Sequence, residues 1–146
     1  MTRPPNVPIH LDELRRTAAR VARDAGYRLV VLFGSTARGE ASARDVDLGI
    51  ETVGSAHSLD VVDSHARFAA AAGGGNFDIV DLRRANPVLL MAVARDGIPL
   101  FEECGVEFAN FASLAMRRYA DTKKFRDAVR EDLREFSRRA SAEKQP

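Results

Sequence analysis

Leu32-Phe33-Gly34-Ser35-Thr36-Ala37-Arg38-Gly39-Glu40, followed by Arg44-Asp45-Val46-Asp47-Leu48, is the stretch whose reading decides the fold. An apolar strand runs into a Gly-Ser pair, a short basic turn follows, and an Asp-x-Asp pair opens the next strand. Glycine lets the backbone turn sharply and lets a ligand approach it closely. Ser35 then opens a helical turn, where unpaired N–H groups and the dipole favour an anion. Arg38 lies on the same turn, placed to neutralise a phosphate. A plain strand-to-helix turn with a serine N-cap explains Gly34-Ser35 as well, so the pair alone does not choose between the two. The spacing of Gly34 and Gly39 matches the first half of a Walker loop. Glu40 and Ala41, however, stand where Lys and Ser or Thr are needed, which argues against a P-loop.

The aspartates say more. Asp45 and Asp47 are two apart on a predicted strand, so both point to one face while Val46, Leu48 and Ile50 point to the other. Carboxylates about 7 Å apart at Cα repel by roughly 2–3 kcal/mol at an effective dielectric near 20. A divalent cation between them reverses that sign, and hard oxygen ligands with open positions for phosphate suit Mg²⁺. Two aspartates at a sheet edge are the alternative. Asp78, inside the apolar run Phe77-Asp78-Ile79-Val80-Asp81-Leu82, adds a third carboxylate if its strand lies beside the Asp45–Asp47 strand. An unpaired charge in such a run is costly. A three-carboxylate cluster can hold two metals and accept a proton from an attacking hydroxyl. Asp81 faces the opposite way and suits a strand-end cap, although sequence alone leaves the two aspartates exchangeable.

Around these motifs the chain reads as one domain with alternating elements. Residues 1–10 form an N-terminal tail. The pattern predicts a helix from Leu11 to Ala25 stopped by Gly26, with an apolar stripe of Leu14, Ala18, Val21, Ala22 and Ala25. A strand spans Arg28–Phe33, a helical turn Gly34–Glu40, and a second strand Asp45–Thr52. A helix follows over His57–Ala72, with Leu59, Val62, Ala66 and Ala69 as its stripe, closed by Gly73-Gly74-Gly75-Asn76. A strand over Phe77–Leu82, a helix over Pro87–Arg95 and a strand over Ile98–Glu102 complete a core of residues 11–104. Residues 105–146 form a C-terminal helical extension: one long helix, or two parted near Asp121-Thr122 with Asp121 as N-cap. The apolar residues Phe108, Phe111, Leu114, Tyr119, Phe125, Val129, Leu133 and Phe136 recur along it, and most of this stripe is expected to dock on the protein's own sheet. The expected fold class is α/β (α+β), a mixed sheet flanked by helices.

Composition narrows the function. At 146 residues the chain can bury a core without staples. Its single cysteine, Cys104, permits no internal disulfide and suits a reducing cytoplasm; it reads as a buried spectator thiol. There is no spanning-length apolar run and no secretory signal pattern. A net charge of +1 argues against a general nucleic-acid binder, although residues 117–139 carry nine Lys or Arg against five Asp or Glu. His10, His57 and His65 show no metal-ligand spacing and are expected at surface or capping positions.

The combination of Gly34-Ser35-Thr36-Ala37-Arg38-Gly39, nine residues between Ser35 and Asp45-x-Asp47, and Asp78 in an apolar strand resembles the DNA polymerase β-type nucleotidyltransferase superfamily. The Ala37-Arg38-Gly39 ending and the Asp47-Leu48 continuation resemble its minimal nucleotidyltransferases. The stretch around Arg118-Tyr119-Ala120-Asp121 and the basic helix after it is similar to antitoxin members, which pair with a helical HEPN-domain ribonuclease toxin. The resemblance implies ATP as substrate, two Mg²⁺ ions, and transfer of AMP to a hydroxyl, a toxin tyrosine in the antitoxin members. By position, Gly34 shapes the phosphate cradle and Ser35 holds the terminal phosphates; Asp45 and Asp47 bind metal, and Asp78 binds metal and acts as base. Arg44 stands where serine is usual and receives no role. Two alternatives remain: transfer to a small molecule such as an aminoglycoside, which the roughly 40 residues after Glu102 suit less well, and an antitoxin that neutralises its partner by contact alone.

Overall fold

The computed structural model describes residues 10–40, 45–54 and 58–144. The expected tail up to residue 9, Arg44 and His57 lie outside the described residues. In chain order the elements are α1 (Leu11–Ala25), β1 (Tyr27–Phe33), α2 (Gly34–Ala37), β2 (Val46–Thr52), α3 (Val61–Ala72), β3 (Phe77–Asp81), α4 (Pro87–Asp96), β4 (Ile98–Glu102), α5 (Glu107–Asp121) and α6 (Lys123–Ala142). The expected alternation is present, and the fold class is the mixed α/β one read from the sequence.

β1 is apolar along most of its length because both of its faces are covered. Val30 and Leu32 join Leu14, Ala18 and Val21 of α1, Leu48 and Ile50 of β2, and Phe68 of α3 in one core. Leu29 and Val31 point the other way, onto Leu82, Leu90 and Val93 near and on α4 and Phe111 and Ala115 on α5. The sheet order is β3-β2-β1-β4. β1 runs antiparallel to β2 and β4, while β2 and β3 are parallel, with α3 as the crossover. This topology gathers the C-terminal end of β1 and the N-terminal ends of β2 and β3 at one end of the sheet.

Several expectations shift. The second strand begins at Val46, so Asp45 precedes it. On α3 the buried face is Ser64 and Phe68, whereas Val62 is 80% exposed and Ala66 is exposed. Long-range contacts set that helix phase. Phe68 packs on Phe77 with ring centroids 5.7 Å apart, Tyr27 and Ser64 share a 2.5 Å hydroxyl hydrogen bond, and His65 Nδ1 bonds the Phe77 carbonyl at 2.8 Å. Asp60, rather than a residue near His57, caps α3 by accepting from the Asp63 N–H at 2.9 Å.

The C-terminal extension is two helices that break at Thr122, and Asp121 is the last residue of α5 rather than an N-cap. Thr122 turns its hydroxyl back onto the Arg118 carbonyl at 2.9 Å, and Arg126 stacks on the Tyr119 ring at 3.6 Å. Only α5 docks on the sheet. α6 has no buried residue, and its stripe faces solvent, with Phe125 74% and Phe136 71% exposed. Its Glu131–Arg134 and Glu135–Arg139 pairs are surface pairs, each contributing little.

Cys104 is exposed, not buried, because it lies in the loop that starts α5. Its thiol is pushed up by the adjacent Glu107 carboxylate and by desolvation, so it remains a poor nucleophile. Glu107, a buried residue, organises that loop by accepting the N–H groups of Cys104, Gly105 and Val106 at 2.8, 3.0 and 3.2 Å.

Burial separates two kinds of aromatic position. Phe68→Ala, at a fully buried site, is expected to cost about 3–5 kcal/mol in urea unfolding. Phe136→Ser on α6 is expected to stay within about 0.5 kcal/mol of the parent.

Candidate active site

The register across the sheet assembles the site. Asp47 on β2 lies opposite Phe33 on β1 and opposite Asp78 on β3. In parallel strands about 4.8 Å apart, directly paired residues point to the same face, so the two carboxylates stand side by side. Asp45 joins them from the bend before β2, with its backbone carbonyl accepting Thr36 Oγ1 at 3.1 Å. Its carboxylate accepts Asn76 Nδ2 at 2.5 Å. Asp78 is exposed, which corrects the expectation of a charge enclosed among apolar neighbours: β3 is an edge strand, and Asp78 lies on its solvent-exposed side next to the buried Phe77.

Gly34 is required twice over. Its φ of +75° lies in the left-handed region. A Cβ there would also come within 3.0 Å of the Asp47 carboxyl carbon. The cradle backbone and the Asp47 carboxylate are therefore in close contact, with no room for a side chain between them. Ser35 is half-buried on the four-residue α2, and its hydroxyl has no partner among the described residues. The turn closes through Arg38 N–H to the Gly34 carbonyl at 3.2 Å and Glu40 N–H to the Ser35 carbonyl at 3.1 Å. Arg38 is exposed and pairs with Glu40 at 3.0 Å, so it reaches a phosphate only by exchanging that partner.

Electrostatics mark Asp47 as the centre. Its carboxyl is raised above the usual range, first by burial, then by the Asp78 and Asp45 carboxylates; Arg38 opposes the shift. Among the described residues the cluster with ligand atoms mutually within 4.8 Å is Glu103, Cys104 and Glu107, at the start of α5. Glu107 already spends its oxygens on backbone N–H groups there, so that cluster offers no free ligand set. Asp45, Asp47 and Asp78 do not bring one carboxylate oxygen each within 4.8 Å of the other two; they offer hard oxygens whose mutual repulsion a cation would relieve.

Gly34, Ser35, Arg38, Asp45, Asp47 and Asp78 all lie at this end of the sheet. Asp81 does cap its strand end, accepting the Arg83 N–H at 3.0 Å. Asn76 was missed as the residue that steers Asp45. The Gly-rich turn before β3 hinted at a loop, but its approach to Asp45 depends on the β2–β3 pairing, which begins with Val46 N–H to the Asn76 carbonyl at 3.0 Å.

A paired-carboxylate sheet end beside a glycine-serine turn defines a nucleotidyltransferase, and residues 19–104 match the family "Polymerase beta, Nucleotidyltransferase". The chain belongs to that family. It is 28% identical over 138 residues to a protein adenylyltransferase MntA of Aphanizomenon flos-aquae (strain 2012/KM1/D3), covering 87% of this chain and 92% of the relative. Its fold matches a chain of a toxin–antitoxin crystal structure with AMP-PNP at a TM-score of 0.69 and 24% identity, covering 82% of this chain and 97% of that one. It also matches a chain of the Shewanella oneidensis complex of a tri-AMPylated HEPN toxin with its MNT antitoxin, at 0.63 and 24%, covering 84% and 96%.

Asp47 also sets a pH dependence. A carboxyl raised in the folded state favours folding below its unfolded pKa, and that contribution is lost as pH rises through the folded value. Asp47→Asn is therefore expected to raise the Tm of metal-free protein by about 2–4 °C at pH 7.5. Calorimetry should show the gain shrinking towards pH 4. Adding Mg²⁺ should stabilise the parent more than the variant.

Proposed function

We propose that this chain transfers AMP from ATP to a hydroxyl of a partner protein, a tyrosine hydroxyl of a HEPN-domain toxin. The observation that carries the reading is the β2–β3 register that sets Asp47 beside Asp78, with Gly34 against Asp47. The adenylyltransferase name of the Aphanizomenon relative and the AMPylated toxin in the Shewanella complex support the choice of donor and acceptor.

In this reading Gly34 and Ser35 hold the terminal phosphates, with Arg38 released from Glu40 to neutralise them. Asp45 and Asp47 are the main metal ligands, with Asp78 as the third. These carboxylates would hold two Mg²⁺ ions, which when bound would supply charge neutralisation and alignment of the phosphates. The acceptor oxygen bonds to the α-phosphorus, the bond to the bridging oxygen breaks, and pyrophosphate leaves. Asp78, exposed at the sheet edge, receives the hydroxyl proton, and its exposure suits an acceptor that arrives on another protein. Residues 11–104 act as the transferase core, and 105–146 as an extension within the same structural domain. No described helix is long and apolar enough to cross a membrane, and a reducing cytoplasm fits the reading.

A second reading, neutralisation by contact, draws on the exposed stripe Phe125, Val129, Leu133 and Phe136 of α6. Labelled ATP, Mg²⁺ and a HEPN toxin separate the two. Label transfer is expected, falling at least about 100-fold in Asp45→Asn, Asp47→Asn or Asp78→Asn, each an electrostatic contribution of the size seen for transition-state groups. Neutralisation of the ribonuclease that survives all three substitutions without label would instead establish contact as the mechanism.

A further inference from the structure

At the opposite end of the sheet, on the face that carries Asp47, lies a cavity of about 370 Å³. Three residues of β2 separate Asp47 from Glu51 at its edge, roughly 13 Å along the strand. The Leu82 side chain lies across Gly49 between the two ends: a Cβ on Gly49 would meet Leu82 Cδ2 at 2.6 Å. Leu82 therefore stands between the cavity it lines and the catalytic end.

Its chemistry is cationic over an apolar floor. Arg28, Arg83 and Arg118 line it with Glu51 and Glu107, while Leu82, Leu90 and Phe111 are buried beneath. The carboxylates are committed. Glu107 accepts three backbone N–H groups, and Glu51 is shared between Arg28 and Arg83 at 3.8 Å each. Arg83 is spent on the Thr52 carbonyl at 2.7 Å and on the Gly54 carbonyl. Arg28 Nε, 3.8 Å from the Glu51 carboxylate, is buried and has no hydrogen-bond partner of its own. Arg118 is exposed and makes no ion pair among the described residues. The Arg118 guanidinium thus has donor capacity left over, beside the Asn110 amide, the Arg28–Glu51–Arg83 cluster and an apolar floor.

We infer that this cavity is a second anion site that takes the phosphate of a mononucleotide-sized ligand. Its volume lies at the lower end of small-molecule sites, about 300–1,000 Å³. Guanidiniums suit phosphate bidentately, and the floor offers Phe111 and two leucines to a flat ring. The site stands apart from the transfer chemistry and holds whether or not the acceptor is a toxin. The shared chemistry admits a nucleotide or free phosphate.

The test uses the full chain with Asp45→Asn and Asp47→Asn together, in EDTA, so that the transfer site has lost its carboxylates and metal. Calorimetric titration with AMP is expected to give one site per chain, with adenosine at least tenfold weaker and Arg118→Ala lowering AMP affinity at least fivefold. Amide NMR shifts should centre on Asn110, Phe111 and Leu114. Inorganic phosphate binding as tightly as AMP supports the anion site and assigns it to the free ion. The inference is overturned if AMP does not bind, if adenosine matches it, if Arg118→Ala changes nothing, or if the shifts centre on Gly34–Arg38. Because no label transfer is read, failure here leaves the transferase reading untouched.

Discussion

The structure turns on holding two like charges side by side. Asp47 is pinned by the ladder, with Phe33 on one neighbouring strand and Asp78 on the other, so neither carboxylate can slide away from its neighbour without breaking register. A one-residue slip would flip the whole strand and bury Asp47 where Leu48 now packs. Because Leu48 and Ile50 are fully buried, the core enforces the register, and the register enforces the repulsion. The raised Asp47 carboxyl is the electrostatic trace of that constraint.

The rest of the fold supplies what the constraint needs. Helices on both faces make β1 a strand that cannot shift, since Val30 and Leu32 are locked on one side and Leu29 and Val31 on the other. The β1 end then delivers Gly34 against Asp47 with no Cβ between them. Asn76 and Thr36, from two different turns, hold Asp45, which belongs to no strand itself. Repulsion and close approach are concentrated at one end, while the other end is tied down by Arg83, which bridges the end of β2 to the turn after β3. α6 contributes nothing to this framework, and its exposed apolar residues are free for another surface.

Where sequence reading went astray, the reason is packing between distant segments. The α3 stripe seemed to run through Val62 and Ala66, because small apolar residues satisfy a helical period in more than one phase. Contacts with Tyr27 and Phe77 chose the phase that buries Ser64 and Phe68. Most of the stripe of α5 and α6 was expected on the sheet, yet with the helices parting at Thr122, as one of the two readings had it, only its first half reaches there. Asp78 appeared enclosed because its neighbours in sequence are apolar; its place on an edge strand exposes it. Cys104 was misplaced for a similar reason, since Glu107 gathers the loop around itself and leaves the thiol outside.

The sequence by itself determined the element order, the glycine-serine turn, the alternation that sets Asp47 against Val46 and Leu48, and the absence of a Walker lysine. These are local matters, governed by side-chain period and by what glycine alone permits. Only the tertiary structure decided that β3 lies beside β2 in the register that pairs Asp78 with Asp47, that Asn76 reaches Asp45, and that α6 stands off the sheet. Each depends on which segments, far apart in the chain, bury one another, and burial between distant segments leaves no periodic mark in either one.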